Sequence, residues 1–262
     1  MDQDLQVLAE RIRGLGTDTV TGPTLVYFNI VGIAWPIRAL LHLKQVDYEF
    51  IPVTYMQWGA VKSLFTNGHV PLYVDREIMV SQSIPIMTYL AEQHGMAGNN
   101  QAQRFAIQEV MSHAYDALFH WNGLLQVIIK MNIPDDVVEA RKQAFMGRGR
   151  WGIVSNGWNN HLNGFVRYLE GNADDSGYFV GSELTIADLH AFNIMCNWYK
   201  AFDRERFVAE YPLLEAFIQR IGAIPRVNDY IRNLQEPTSW LPLPDAAIAL
   251  ATPGALDGLV GK

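Results

Sequence analysis

The sequence predicts an α/β domain followed by an all-helical domain, and three observations carry that reading. Between residues 24 and 93, apolar runs of strand character alternate with stretches of helical spacing in the order βαβ, then ββα. That alternation of periods 2 and 3.6 is what a layered α/β unit requires. The stretch Gly95-Met96-Ala97-Gly98-Asn99-Asn100 is small and polar, the clearest linker in the chain. Beyond it, apolar residues recur almost throughout at helical intervals. The expected organisation is an extension (1–22), an α/β domain (23–95), a helical domain (101–235) and a tail (236–262).

Each element has its own signal. Leu5, Leu8, Ile12 and Leu15 make an amphipathic helix, expected to pack on the surface of its own chain in preference to a partner subunit. Asp2, Asp4 and Glu10 argue against a mitochondrial presequence, and the stretch lacks the apolar core of a signal peptide. Thr24 to Asn29 reads as a buried strand, Pro36 to Leu43 as the first helix and Tyr48 to Val53 as a second strand. Tyr55 to Thr66 reads as irregular. A strand then enters through Pro71, another covers Ile78 to Val80, and a helix runs from Ser83 to Gln93. Ser83 is expected as its N-cap, with Pro85 in the first turn and Ile84, Met87 and Leu90 opening the apolar stripe. Five helical stretches follow: Phe105–Val127, Pro134–Met146, Ser155–Leu169, Ile186–Phe202 and Leu213–Ile221. Thr185 and Asp188 have the spacing of a capping box, a structural role. Gly147, Gly149 and Gly152 do not lead from a strand into a helix, so they are read as a helix–helix turn and not a phosphate loop. From Gln235 the chain is rich in Pro, Ala and Gly. Either Trp240 and Leu241 fold back over the domain junction or the tail packs loosely.

Composition excludes several classes. With 262 residues, 49% hydrophobic and 18% charged, the chain is a packed globular protein. A net charge of −7 without a basic stripe excludes nucleic acid as the main partner. One cysteine, Cys196, rules out an internal disulfide framework and fits a reducing, cytoplasmic setting. Lying in the apolar run Phe192 to Trp198, it reads as buried and structural. No apolar run approaches the ~20 residues needed to span a bilayer. His113, His120 and His161 form no ligand motif, so no metal is expected. Trp121, Trp151, Trp158 and Trp198 read mostly as helical-domain core, one or two of them lining a pocket.

One stretch stands apart: Asn67-Gly68-His69-Val70-Pro71-Leu72-Tyr73-Val74-Asp75, running on to Ser81-Gln82-Ser83-Ile84-Pro85. A helix start carrying a hydroxyl and backbone N–H groups is a ready anion site. The Val70–Pro71 bond is a candidate for the cis form, found in about 5–6% of X-Pro bonds. The run V-P-L-Y-V-D…S-Q-S-I-P-I-M-T-Y-L-A resembles the V-P-x-L…Q-S-x-A-I-x-x-Y-L-A pattern of the glutathione transferase family. Gly181-Ser182-Glu183-Leu184-Thr185-Ile186-Ala187-Asp188 resembles the G-x-x-L-T-x-A-D motif of the family's helical domain.

The resemblance covers roughly four-fifths of the chain and implies a thioredoxin-like first domain, glutathione as co-substrate and a homodimer with the site near the subunit interface. Among the tyrosine classes the match is closest to sigma, and it makes Tyr27, in Tyr27-Phe28, the catalytic residue. A free thiol titrates near 8.5, so a hydroxyl donor aimed at the sulfur is needed to favour thiolate at neutral pH. By the same resemblance Trp58 and Lys62, spaced W-x-x-x-K, hold the glycine carboxylate. His69 and Val70 pair with the cysteinyl backbone, and Gln82 and Ser83 hold the γ-glutamyl end. The chain departs from the family's R-G-R-A-E, with Val31 and Ile33 in place of the arginines and Trp35 in place of the acid. Gln108 falls where a neighbouring subunit often supplies an Asp to the glutathione amine. Loss of a cation beside the sulfur predicts weaker activation, and Ile30, Ile33 and Trp35 predict an apolar acceptor pocket for a hydrophobic electrophile. The expected activity is conjugation of glutathione to such a molecule. Glutathione-dependent isomerisation or peroxide reduction, and non-catalytic binding by a protein like the lens crystallins of the family, stay open as alternatives.

Overall fold

A computed structural model describes residues 3–130, 158–201 and 204–233, together with positions 134, 136, 137 and 140. The expected helix at Pro134–Met146, the glycine-rich turn and the tail lie, wholly or in large part, outside the described residues.

The first domain is a four-stranded mixed sheet in the order β2-β1-β3-β4. Its strands are β1 (Thr24–Phe28), β2 (Glu49–Val53), β3 (Leu72–Val74) and β4 (Met79–Ser81). β1 pairs parallel with β2, through the crossover helix α2 (Trp35–Leu43), and antiparallel with β3, which pairs antiparallel with β4. Alternation along β1 divides its side chains between two cores. Leu25 packs with α2 and α4 (Ser83–Gln93), in a core continuous with the helical domain. Val26 joins Ile51, Val53, Leu72 and Val74 on the opposite face.

That second face is covered by α1 (Gln3–Arg13), whose Leu8, Ala9 and Ile12 are buried against it. Arg11 reaches Glu49 on β2 at 2.6 Å. The stretch expected to be irregular after β2 is instead helical: α3 (Tyr55–Val61) leads into a 3-10 turn at Lys62–Leu64. Its start is fixed by a capping box, Thr54 accepting from the Gln57 N–H while the Gln57 side chain accepts from the Thr54 N–H. The apolar periodicity of α3 is poor because only Val61 is buried.

The second domain begins with α5 (Gln101–Lys130), longer at both ends than the apolar pattern indicated. It continues with α6 (Trp158–Glu170), α7 (Ile186–Ala201), α8 (Arg204–Glu210), α9 (Pro212–Gly222) and α10 (Pro225–Arg232). α8 and α10 are short and went unread in the sequence. α7 is the axis of the domain: Ile186, Ala187, Leu189, Ala191, Phe192, Ile194 and Met195 are buried, and it packs against α5 and α2. Its start is set by Asp188, which accepts from the N–H and hydroxyl of Thr185 and from the Phe179 N–H. Burial pushes the Asp188 carboxyl up to about 6 against the opposing pull of those donors. Cys196 is buried. Among the described residues no helix is long and apolar enough to cross a membrane, and no group of three or more His, Cys, Asp or Glu is placed to hold a metal ion.

Candidate active site

Strand directions gather the candidate residues at one end of the sheet. β1 and β2 both finish there, with Phe28 opposite Val53. β3 begins there, Leu72 lying opposite Val26 and opposite Ser81 where β4 ends. Continuing those registers by one residue sets Tyr27 beside Pro71, with Gln82 on Pro71's other side. The Gln82 N–H donates to the Pro71 carbonyl at 3.2 Å, and the Val70–Pro71 bond is cis.

The helix start differs from expectation in one respect. The N-cap of α4 is Gln82, not Ser83: Gln82 takes φ +76, and Ser83 is the first helical residue, buried at 3% exposure. No side chain caps the helix. The Ser83 hydroxyl is therefore not spent on its own helix. Gln82 holds a left-handed backbone that ordinary residues adopt at a cost of order 1–3 kcal/mol. This marks the turn as a shape imposed by its surroundings.

On the other flank, Trp58 on α3 is half-buried, edge-on to Phe28 (centroids 5.1 Å) and tilted against Phe65 (5.5 Å). Lys62 follows one turn later, its N–H donating to the Trp58 carbonyl, and its side chain is exposed. His69 is exposed and its backbone N–H donates to the Asn67 side chain at 3.1 Å; its ring Nδ1 lies 2.6 Å from the Asn67 carbonyl. The side chain there is committed to its own turn. Val70 is half-buried. Gln108 donates to Thr88 of its own chain at 2.9 Å.

Tyr27 sits at the base of the loop between β1 and α2. Its hydroxyl oxygen accepts the Ile33 N–H at 3.2 Å. Burial raises its pKa above the ordinary tyrosine value, against smaller lowering contributions from that N–H and from the Arg38 charge. The phenol therefore keeps its proton at neutral pH and, with its oxygen already accepting, can donate it. Gly32 forms the turn above it with φ +44; a Cβ there would lie 2.5 Å from the Tyr27 hydroxyl.

The acceptor-pocket expectation needs one correction. Ile30 and Ile33 are half-buried in the loop, but Trp35 has no exposed surface. Its ring packs against Phe192 (5.5 Å) and Tyr230 (5.9 Å), where α2 meets the helical domain. The residue read as replacing the acid of the family's R-G-R-A-E is a core residue, because helix α2 begins one residue earlier than Pro36 and turns it inward. Arg38, on α2, is fully buried and donates to the Ile30 carbonyl (2.8 Å) and the Val31 carbonyl (2.9 Å). Asn193 of α7 donates to the Gly32 carbonyl at 3.2 Å. Neither was singled out from sequence. A polar residue among apolar neighbours, Arg38 between Ile37 and Ala39 and Asn193 between Phe192 and Ile194, was the available signal.

A mixed four-stranded sheet with flanking helices, followed by an all-helical domain, is the two-domain glutathione transferase fold. Family models agree: residues 23–92 match the glutathione S-transferase N-terminal domain and residues 153–233 the C-terminal domain. Among relatives, a glutathione S-transferase P of Caenorhabditis elegans is 31% identical over 78% of this chain and 96% of its own length. Glutathione S-transferase P 1 of Xenopus laevis is 26% identical over 81% and 92%. The crystal structure of the glutathione S-transferase from Ascaris lumbricoides superposes with a TM-score of 0.69 at 21% identity, covering 84% of this chain and 99% of that one. The chain belongs to the glutathione S-transferase family.

Proposed function

We propose that the protein conjugates the glutathione thiolate to an apolar electrophile. The observation that supports this most is the state of Tyr27: a buried, protonated phenol whose oxygen accepts a backbone N–H and whose own proton is available to a sulfur anion. In this reading Tyr27 stabilises the thiolate by donation, with most of the rate gain from that bond and from positioning. Trp58 and Lys62 hold the glycine carboxylate. The backbone at His69 and Val70 pairs with the cysteinyl unit, and Gln82 with Ser83 takes the γ-glutamyl carboxylate at the start of α4. Ile30 and Ile33 face the acceptor. The spacing of Trp58 and Lys62 favours a sigma-like variant of the family, while the named relatives above carry the P designation.

A homodimer fits the surface. On α5, Phe105, Tyr115 and Phe119 are exposed at 67%, 37% and 66%, and at 100° per residue they fall within about 80° of one another. An aromatic stripe of that kind on one helix face suits burial against a second copy.

Calorimetric titration with glutathione tests the site, and turnover of wild type against Tyr27→Phe over a panel of electrophiles tests the chemistry. Binding that Ser83→Ala leaves untouched would remove the assigned site. Equal, near-background rates for wild type and Tyr27→Phe would leave a binding protein in place of an enzyme. Product formed with no loss of glutathione would point to isomerisation, and oxidised glutathione to peroxide reduction.

A further inference from the structure

We propose that Asn193, on the helical domain, is a positioning residue for the Tyr27 phenol and acts through the peptide unit joining Gly32 to Ile33. The inference deepens the reading of Tyr27 given above and rests on it for its functional consequence.

A peptide unit is rigid and planar, with its C=O and N–H pointing to opposite sides. The unit between Gly32 and Ile33 is held at both ends. Its carbonyl accepts from Asn193 Nδ2 at 3.2 Å and from the Trp35 N–H at 3.3 Å, and its N–H donates to the Tyr27 hydroxyl at 3.2 Å. Asn193 and Tyr27, one from each domain, are thus joined through one plane whose tilt decides where the N–H is aimed. That plane needs an external hold. Gly32, at φ +44, has no Cβ to restrict rotation, and a Cβ is excluded because it would strike the phenol.

Two neighbouring carbonyls, of Ile30 and Val31, are gripped by Arg38. Arg38 belongs to the helix into which the loop runs, so it steadies the loop's shape but moves with it. Asn193 lies on α7, 2% exposed and flanked by Phe192, Ile194 and Met195, all buried. It is a fixed reference outside the first domain. A donor on the carbonyl also polarises the peptide and strengthens the N–H on its far side. With that N–H occupying the phenolic oxygen, the phenol's proton is directed elsewhere, toward the sulfur. Without Asn193 the carbonyl is left with the Trp35 N–H of the adjoining helix at 3.3 Å, a hold that moves with the loop, and the hydroxyl can spend its proton on a loop carbonyl.

The test compares Asn193→Ala with wild type, each also in a Tyr27→Phe background. The expected result is a kcat about tenfold lower with KM for glutathione within about twofold, and no further loss when Tyr27 is already Phe. Amide exchange at Ile33, followed by NMR, should accelerate about tenfold or more while amides in α4 keep their protection. A purely structural role would lower the melting temperature and reduce both backgrounds alike. An equal loss in the Tyr27→Phe background, an unchanged kcat, or unchanged exchange at Ile33 would each overturn the proposal. If wild type shows no glutathione-dependent turnover, the functional reading falls, while Ile33 exchange still decides whether Asn193 holds the plane. Asn193→Ser, too short to reach the carbonyl, replaces the alanine variant should that one fail to fold.

Discussion

Two turns meet at the active end of the sheet, and they are built in opposite ways. The turn before α4, at Gln82-Ser83, is short-range: it is shaped by one backbone bond to Pro71 two strands back and by the register of β3 with β4. The loop after β1, residues 29–34, is long-range: Arg38 from the next helix and Asn193 from the other domain hold three consecutive carbonyls. In the proposed reading the first presents backbone and a hydroxyl to an anion, a task a few contiguous residues can perform. In the same reading the second aims a single proton, and aiming depends on parts of the chain far away. Binding and activation should therefore separate under mutation.

Tyr27→Phe is the sharpest way to break the comparison. Loss of one donor to a developing or resident anion in a buried site costs roughly 10²–10³ in kcat, and KM for glutathione should hardly change. Steady-state kinetics checks both numbers, and a parallel rise in KM would mean the two turns are not independent. Gly32→Ala should follow, with a kcat loss of roughly a hundredfold, since displacing a reacting group by about an ångström costs that much. Its Cβ would meet the phenol at 2.5 Å in a backbone conformation that disfavours side chains. Calorimetry should find its glutathione affinity near that of wild type.

Ser83→Ala attacks the other turn. Removing one hydrogen bond to a charged group weakens binding by about 1.5–3 kcal/mol, at least tenfold in Kd. Turnover at saturating glutathione should be retained. If kcat falls as far as Kd rises, the division of labour between the turns is wrong.

The smallest effect on activity concerns the helix that carries Asn193. His190, three residues earlier, is fully buried, and neither ring nitrogen has a hydrogen-bond partner among the described residues. Burial pulls its pKa down to about 4 from 6.5. The sign follows from linkage: the folded state resists protonation, so the neutral ring's contribution is complete above pH 6.5 and fades as pH falls toward 4. Roughly 3 kcal/mol is at stake. Asp188 works the other way, gaining a proton in the folded state below about 6, and it is present in both proteins compared. Denaturant unfolding of wild type and His190→Phe at pH 7 and pH 4.5 isolates the histidine. The variant should lose less stability on acidification.

How much of this was legible in the sequence depends on the range of the interactions concerned. The strands and, among the described residues, the long helices were legible because apolar periodicity is a local signal. The Asn67–Pro85 stretch was legible as a strand entering through Pro71 and a helix starting near Ser83, though the cap itself fell one residue earlier, at Gln82. α3 was missed because it is mostly exposed, so its capping box carries its start without an apolar stripe. Trp35 was assigned to the cleft because its neighbours in sequence are there, but one turn of helix points it into the domain junction. The Asn193 contact with Gly32 spans 161 positions, and no local pattern could announce it.

The N-terminal helix has a practical consequence for anyone trimming this protein. Its Leu8 and Ile12 belong to the hydrophobic cluster that also contains Val61 and Phe65 and against which Trp58 packs. Each such side chain stabilises by about 1.5–3 kcal/mol when fully buried. A shortened chain beginning at the first strand would leave that cluster wet. The grip proposed for Trp58 on the glycine end of glutathione should slacken before the rest of the molecule melts.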